Sequence, residues 1–144
     1  MIKFFIIANR HGQIRLAQYY CERPSLEERQ QLENDVIRQC ISRNDNMSFT
    51  FDLKIMKIVY KRYNSIYCIA GVENDSNELE ILSFFDFYFS VLNEFYGEIN
   101  EASIIYNEAQ SYAALNEIIL DGEIVEVSKA QILKTLNDFF QNPQ

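Results

Sequence analysis

Tryptophan is absent from this chain, and its 144 residues hold only four glycines, two prolines, three cysteines and one histidine. So little Gly and Pro leaves no room for a flexible linker. One ordered domain over residues 1–144 is expected, loose only at the closing Gln141-Asn142-Pro143-Gln144. Cys21, Cys40 and Cys68 are odd in number and scattered, without CxxC or Cys/His spacing, which excludes a recognisable zinc site and points to reduced thiols. His11 falls in a turn, where it lacks the partner that a general base needs. The nucleophile elbow, the phosphate loop and the dinucleotide fingerprint are all missing, so no catalytic residue, cofactor or metal is expected. Positive charge is scarce as well: 13 Lys and Arg against 21 Asp and Glu give a net charge of −8, unsuited to nucleic acid or to direct contact with an anionic membrane. No apolar run approaches the roughly 18 residues of a membrane span. The first one is also too short for a signal peptide. A soluble chain in a reducing, cytosolic setting is the expectation.

What is present is apolar surface: 48% of residues, with eleven Phe and nine Tyr. Ile2 to Ala8 is apolar except for Lys3, and Ile14 to Tyr20 alternates; between them Asn9-Arg10-His11-Gly12-Gln13 reads as a hairpin turn. Ser25 and Glu28 have the spacing of a capping box, with Pro24 before them. Leu32, Val36 and Cys40, joined by Ile37 and Ile41, continue at helical spacing until Arg43-Asn44-Asp45-Asn46. Strands are then expected at Ser48–Phe51, Leu53–Tyr60 and Ile66–Val72, forming an antiparallel meander or two hairpins around the helical crossover. Lys54, Lys57, Lys61 and Arg62 make a local basic cluster, read either as a solvated strand face or as a contact with a partner.

From residue 74 the pattern is helical. Asn77 caps a helix over Glu78–Tyr96, stopped at Gly97, whose apolar residues (Leu79, Leu82, Phe85, Phe89, Leu92, Tyr96, flanked by Phe84, Phe87, Tyr88, Val91 and Phe95) run nearly all round. Such a helix must be buried on two sides: one against the sheet, the other against further helices or another protein. The expectation is that this surface is too broad for the domain to hide alone, making the chain part of something larger. Further helices are expected over Ile99–Tyr106, over Ala109–Leu120 with Gly122 as its stop, and from the Ser128/Gln131 cap to Phe140. Strands and helices segregate, giving an α+β fold with a five-stranded antiparallel sheet and helices on both faces.

Five segments, in order, resemble the small (sigma) subunits of clathrin-adaptor complexes. These are Asn9 to Leu16; Tyr60-Lys61-Arg62-Tyr63 with Ile66-Tyr67; Asn77-Glu78-Leu79 with Val91 to Tyr96; Glu101 to Asn107; and Leu115-Asn116-Glu117 through Gly122 to Ser128. The opening Met1 to Phe5 leans toward the fourth or third adaptor types. The resemblance implies a longin-like fold and a heterotetramer. In it the small chain nests on the N-terminal helical solenoid of one large subunit, beside a further large and a medium subunit. It implies a role in vesicle-mediated protein transport, in the cytoplasm and peripherally on Golgi, endosomal or coated-vesicle membranes, with the membrane contacted only through the complex. It also implies help in recognising acidic dileucine signals in cargo tails, in which an acid precedes a Leu-Leu or Leu-Ile pair by four positions. By register Arg15 falls on the cation for that acid, and Tyr63, Ile66, Phe89, Ile99 and Ile104 on the lining of the leucine pocket.

The chain departs from the family pattern at three places. Asn64 stands where a small Ala is common, and Phe89 replaces a smaller aliphatic and competes for the pocket's volume. Glu98 replaces a neutral Asn, and its charge about 8 Å from the signal's acid would cost on the order of 0.5–1 kcal/mol. Two other readings stay open: a coatomer small subunit, and a stand-alone longin-type trafficking regulator. An enzyme has no positive feature behind it.

Overall fold

In the computed structural model, which describes residues 1–20, 25–43 and 49–141, the apolar N-terminal run lies inside a sheet. Strand β1 (Ile2–Asn9) pairs antiparallel with β2 (Ile14–Tyr19) on one side and with β5 (Ile66–Glu73) on the other. The remaining strands, β3 (Thr50–Leu53) and β4 (Met56–Tyr63), complete a five-stranded antiparallel sheet of order β2-β1-β5-β4-β3. The expected hairpin and meander are thus both present, joined along β1 and β5. A strand covered on both faces needs no polar alternation. Phe5 and Ile7 enter the core on one side of β1, and Phe4, Ile6 and Ala8 the core on the other.

The second of these cores is closed by helix α1 (Leu26–Ser42), which lays Val36, Ile37 and Cys40 against Phe4, Ile6, Ile58, Tyr60 and Ile69. Ser25 Oγ accepts from the Glu28 N–H at 3.2 Å, as the capping pattern predicts. The first core is closed by α2 (Glu78–Tyr96), α4 (Glu108–Ile118) and α5 (Lys129–Leu136). The short α3 (Glu101–Tyr106) lies between α2 and α4 in the chain. Helices therefore cover both faces of the sheet, as expected.

Several expectations are corrected. The run Leu53–Tyr60 is two strands, not one: the chain reverses at Lys54-Ile55, with Lys54 at φ +58° and Leu53 paired to Met56. Neither residue is a turn former, and the alternation of apolar side chains runs straight through the reversal. The helix expected to reach Leu120 ends at Ile118; Ile119–Leu120 (β6) and Glu123–Ile124 (β7) form a small hairpin instead. Asp121 and Gly122 take φ values of +50° and +85°, the signature of a two-residue hairpin turn rather than a helix stop. The helix expected from Ile99 starts at Glu101, because Asn100 and Ser103 form a reciprocal capping box. The last helix changes at Asn137 into a π-helical turn, Asn137–Gln141. The expected break at Pro24, the turn at Asn44-Asp45-Asn46, the strand's first residue Ser48, Cys21 and the last three residues lie outside the described residues.

A larger correction concerns α2. Its buried side chains are Ile81, Phe84, Phe85, Tyr88, Phe89, Val91 and Leu92, while Leu79, expected in the core, is exposed. The side of α2 turned from the sheet is met by α4 and α5 of the same chain. The domain covers most of this helix with its own atoms, yet Leu79 is exposed and Leu82, Phe87 and Phe95 are only half-buried, so part of the apolar surface stays uncovered.

Candidate functional site

Of the six residues implied by the resemblance, Ile99 and Ile104 lie on the segment 99–104 and Arg15 is tied to it through Glu101. Ile66, Phe89, Ile99 and Ile104 all belong to one buried core cluster, and Tyr63 packs on its rim. Ile66 opens β5 and Tyr63 closes β4, joined by the turn Asn64-Ser65. Asn64 sits at φ +52°, a conformation Asn tolerates better than Ala, and its Nδ2 donates to the Ile99 carbonyl at 3.4 Å. The departure at Asn64 thus has a local role: it ties the strand turn to the segment carrying two of the apolar residues.

Phe89 packs against Tyr63. Its ring centroid lies 4.3 Å from that of Tyr63. The Tyr63 hydroxyl donates to Asp86 Oδ1, one turn earlier on α2, and Lys61 Nζ donates to the same oxygen at 2.9 Å. These two bonds hold the Asp86 carboxyl below its ordinary value, and burial pushes the Tyr63 phenol upward. Lys57 in turn lies 3.5 Å from Glu78 and donates to the Ser76 carbonyl at 3.0 Å. Two of the four residues of the basic cluster are therefore neutralised by the chain's own α2 carboxylates rather than presented to a partner.

Arg15 projects from β2 and meets a carboxylate that the sequence reading did not assign to it. Its Nε donates to Glu101 Oε2 at 2.9 Å and its Nη2 to Gln13 Oε1 at 3.2 Å. Both Arg15 and Glu101 keep a little over a quarter of their side-chain exposure. Beneath them lies Asn9, which is buried. Its Nδ2 donates to Gln13 Oε1 at 2.8 Å and to Glu101 Oε2 at 2.9 Å. Its Oδ1 accepts from the N–H groups of His11 and Gln13, both at 2.9 Å, which shapes the hairpin turn. Gly12 completes that turn at φ +86°, which costs a residue without Cβ nothing. The bonds from Asn9, and then from Arg15, hold the Glu101 carboxyl below its ordinary value. Glu98, the acid expected to oppose a ligand, is exposed; the carboxylate touching Arg15 is Glu101. Its place within the Glu101–Asn107 segment was the one available signal, and nothing local pairs it with a strand 86 positions away.

Among the described residues no group of three or more His, Cys, Asp and Glu is arranged to hold a metal ion. No helix among them is long and apolar enough to cross a membrane. Ile66, Phe89, Ile99 and Ile104 are packed in the core, and Arg15 is paired with Glu101, which lies between Ile99 and Ile104 in the chain.

The family model described as "Clathrin adaptor complex small chain" matches residues 1–141. The chain belongs to the clathrin-adaptor small-chain family. Among its relatives, the AP-4 complex subunit sigma of Arabidopsis thaliana is 39% identical over 135 residues, covering 94% of each chain. The AP-4 complex subunit sigma-1 of Homo sapiens is 35% identical over 136 residues, again with 94% of each covered. The AP-1 complex subunit sigma-3 of Mus musculus is 37% identical over 138 residues, covering 96% of this chain and 89% of that protein. A chain of the structure described as a homology model of the full-length AP-3 complex in a stretched open conformation superposes with a TM-score of 0.71 at 22% identity. It covers 98% of this chain and 94% of that one, and at this identity speaks for the fold alone: the longin-like sheet between helices. The small chain is thus of the sigma type found in AP adaptor complexes, and vesicle-mediated transport follows from the family.

Proposed function

We propose that this chain is a non-catalytic sigma subunit that nests on the N-terminal helical solenoid of a large adaptor subunit, within a heterotetramer completed by a second large and a medium subunit. It works in the cytoplasm, peripherally on Golgi, endosomal or coated-vesicle membranes, and reaches the membrane only through the complex. Arg15 receives the acid of an acidic dileucine signal in a cargo tail, and Tyr63, Ile66, Phe89, Ile99 and Ile104 form the place for its leucines. The carrying observation is the tie between Arg15 and Glu101, which sets a partly exposed guanidinium on the segment that also bears Ile99 and Ile104.

The apolar half is closed, since Ile66 and Ile104 are fully buried and Phe89 nearly so. Leucine entry therefore requires the Phe89 ring to leave Tyr63. Two leucines would release roughly 3–6 kcal/mol on burial. That gain is set against the cost of moving the ring and ordering the peptide. The test is a titration of an acidic dileucine peptide against the chain assembled with its large subunit, by fluorescence anisotropy. Saturable binding that is weakened by Arg15→Ser and abolished by replacing both leucines with alanine is expected. Equal binding to the parent and to Arg15→Ser would remove Arg15 from the site. Failure of the chain to co-purify with any large-subunit solenoid would overturn the assembly.

A further inference from the structure

We infer that Glu101 is a resident competitor for Arg15 and lowers the site's affinity for the signal's acid, so that the leucines decide which cargo is held. This rests on the preceding reading that Arg15 receives that acid. A guanidinium has five donors in a planar fork, and its strongest grip on a carboxylate is bidentate. Here the Nε side of the fork is already taken: Nε is bonded to Glu101 and Nη2 to Gln13. An incoming carboxylate must either displace both or take the Nη1/Nη2 end of the fork, where the guanidinium's charge is already shared with Glu101.

Glu101 is not easily displaced. Asn9 has two amide hydrogens, one on Gln13 and one on Glu101, while its oxygen is held by the turn amides. Swinging Glu101 away would leave a buried Asn9 donor without a partner, which is costly. At its other end Glu101 opens α3, fixed by the Asn100/Ser103 capping box immediately beside it. The network therefore joins the hairpin turn, β2 and α3 into one unit whose charge at Arg15 is already balanced. The low-lying Glu101 carboxyl stays ionised throughout the physiological range, so the competition is always present.

The substitution that separates charge from positioning is Glu101→Gln, which keeps an acceptor oxygen for Asn9 and Arg15 but removes the negative charge. In the chain assembled with its large subunit, two peptides are titrated: an acidic dileucine peptide and its counterpart with Gln in place of the acid. Competition predicts that Glu101→Gln tightens the acidic peptide about two- to fivefold, the range of a partly exposed ion pair. The neutral peptide is expected to bind the variant and the parent alike, which also shows that the apolar half is intact. On an Arg15→Ser background the gain disappears. In the unaltered protein, the acidic peptide but not the neutral one shifts the Arg15 Nε–Hε resonance, a readout that needs no folded variant. If Glu101→Gln binds the acidic peptide no better or more weakly while Arg15→Ser still weakens it, Glu101 is only a positioning residue and the inference is wrong although the cargo reading stands. If Arg15→Ser changes nothing, the cargo reading has failed and the inference goes with it.

Discussion

The hydroxyl of Tyr112, on α4, bonds both backbone groups of Ala17 on the edge strand β2, accepting from its N–H at 3.0 Å and donating to its carbonyl at 3.1 Å. One side chain thus satisfies a donor and an acceptor that the outer edge of the sheet would otherwise offer to another chain. Tyr112→Phe keeps the ring and removes both bonds. A loss of about 1–2 kcal/mol in urea unfolding is expected, with faster hydrogen exchange at the Ala17 amide. An unchanged Ala17 exchange rate would mean that the hydroxyl does not guard the edge.

Gly71 lies opposite Phe4 across β1 and β5, and a Cβ built on it would come within 2.1 Å of the Phe4 ring. The ring occupies the space a side chain would take. Gly71→Ala is expected to destabilise the fold by about 1–3 kcal/mol through overpacking. A compensating Phe4→Leu should return part of that loss. Purely additive effects in the double mutant would show that the two sites do not share this space.

Phe89 packs on Tyr63 within the proposed dileucine pocket. Phe89→Val is expected to cost less than the roughly 3–5 kcal/mol of a full truncation to Ala, and to tighten the dileucine peptide. Each methylene of leucine newly buried is worth about 0.8 kcal/mol, about fourfold in affinity. Calorimetry of the assembled pair checks both quantities. A variant that is folded yet binds no better than the parent would show that Phe89 is not the plug.

The carboxyls of Glu101 and Asp86 both lie below their ordinary values of 4.5 and 3.8. A group depressed on folding contributes stability that is present above its unfolded value and is lost as pH falls through its folded value. Urea midpoints should therefore be flat near neutrality and decline on acidification below those ordinary values. The Glu101→Gln, Asp86→Asn double variant should start lower and decline less. A decline as steep as the parent's would place the acid sensitivity elsewhere.

Cys40 and Cys68 are buried, and burial pushes both thiols upward, Cys40 to about 12. In a Cys21→Ser chain, neither is expected to react with a thiol-specific reagent until the protein unfolds. Rapid stoichiometric labelling in native buffer would contradict the burial.

The hairpin, α1 and α2 were legible because each announces itself locally: a Gly-bearing turn between apolar runs, Ser25 and Asn77 as caps, Gly97 as a stop. The reversal at Lys54-Ile55 was not, because the alternating pattern continues unbroken while only the backbone turns. Asp121-Gly122 misled because the same dipeptide ends a helix or closes a hairpin, and only the pairing of Ile119 with Ile124 decides. In the candidate site, the choice of Arg15 and the apolar residues rests on family resemblance. The Glu101 partnership was invisible, since it depends on how α3 docks beside β2. The apolar breadth of α2 was read correctly as a need for two covers, but amphipathicity does not say whose atoms supply them.

Placing β1 between β2 and β5 has a consequence for biosynthesis. Its seven-residue apolar stretch leaves the ribosome well ahead of β5, which follows only about sixty residues later, and such distant pairing is slow. Until then the nascent chain holds a half-made hairpin with one sticky flank. The moment of greatest aggregation risk thus falls during translation, when a chaperone has most to protect.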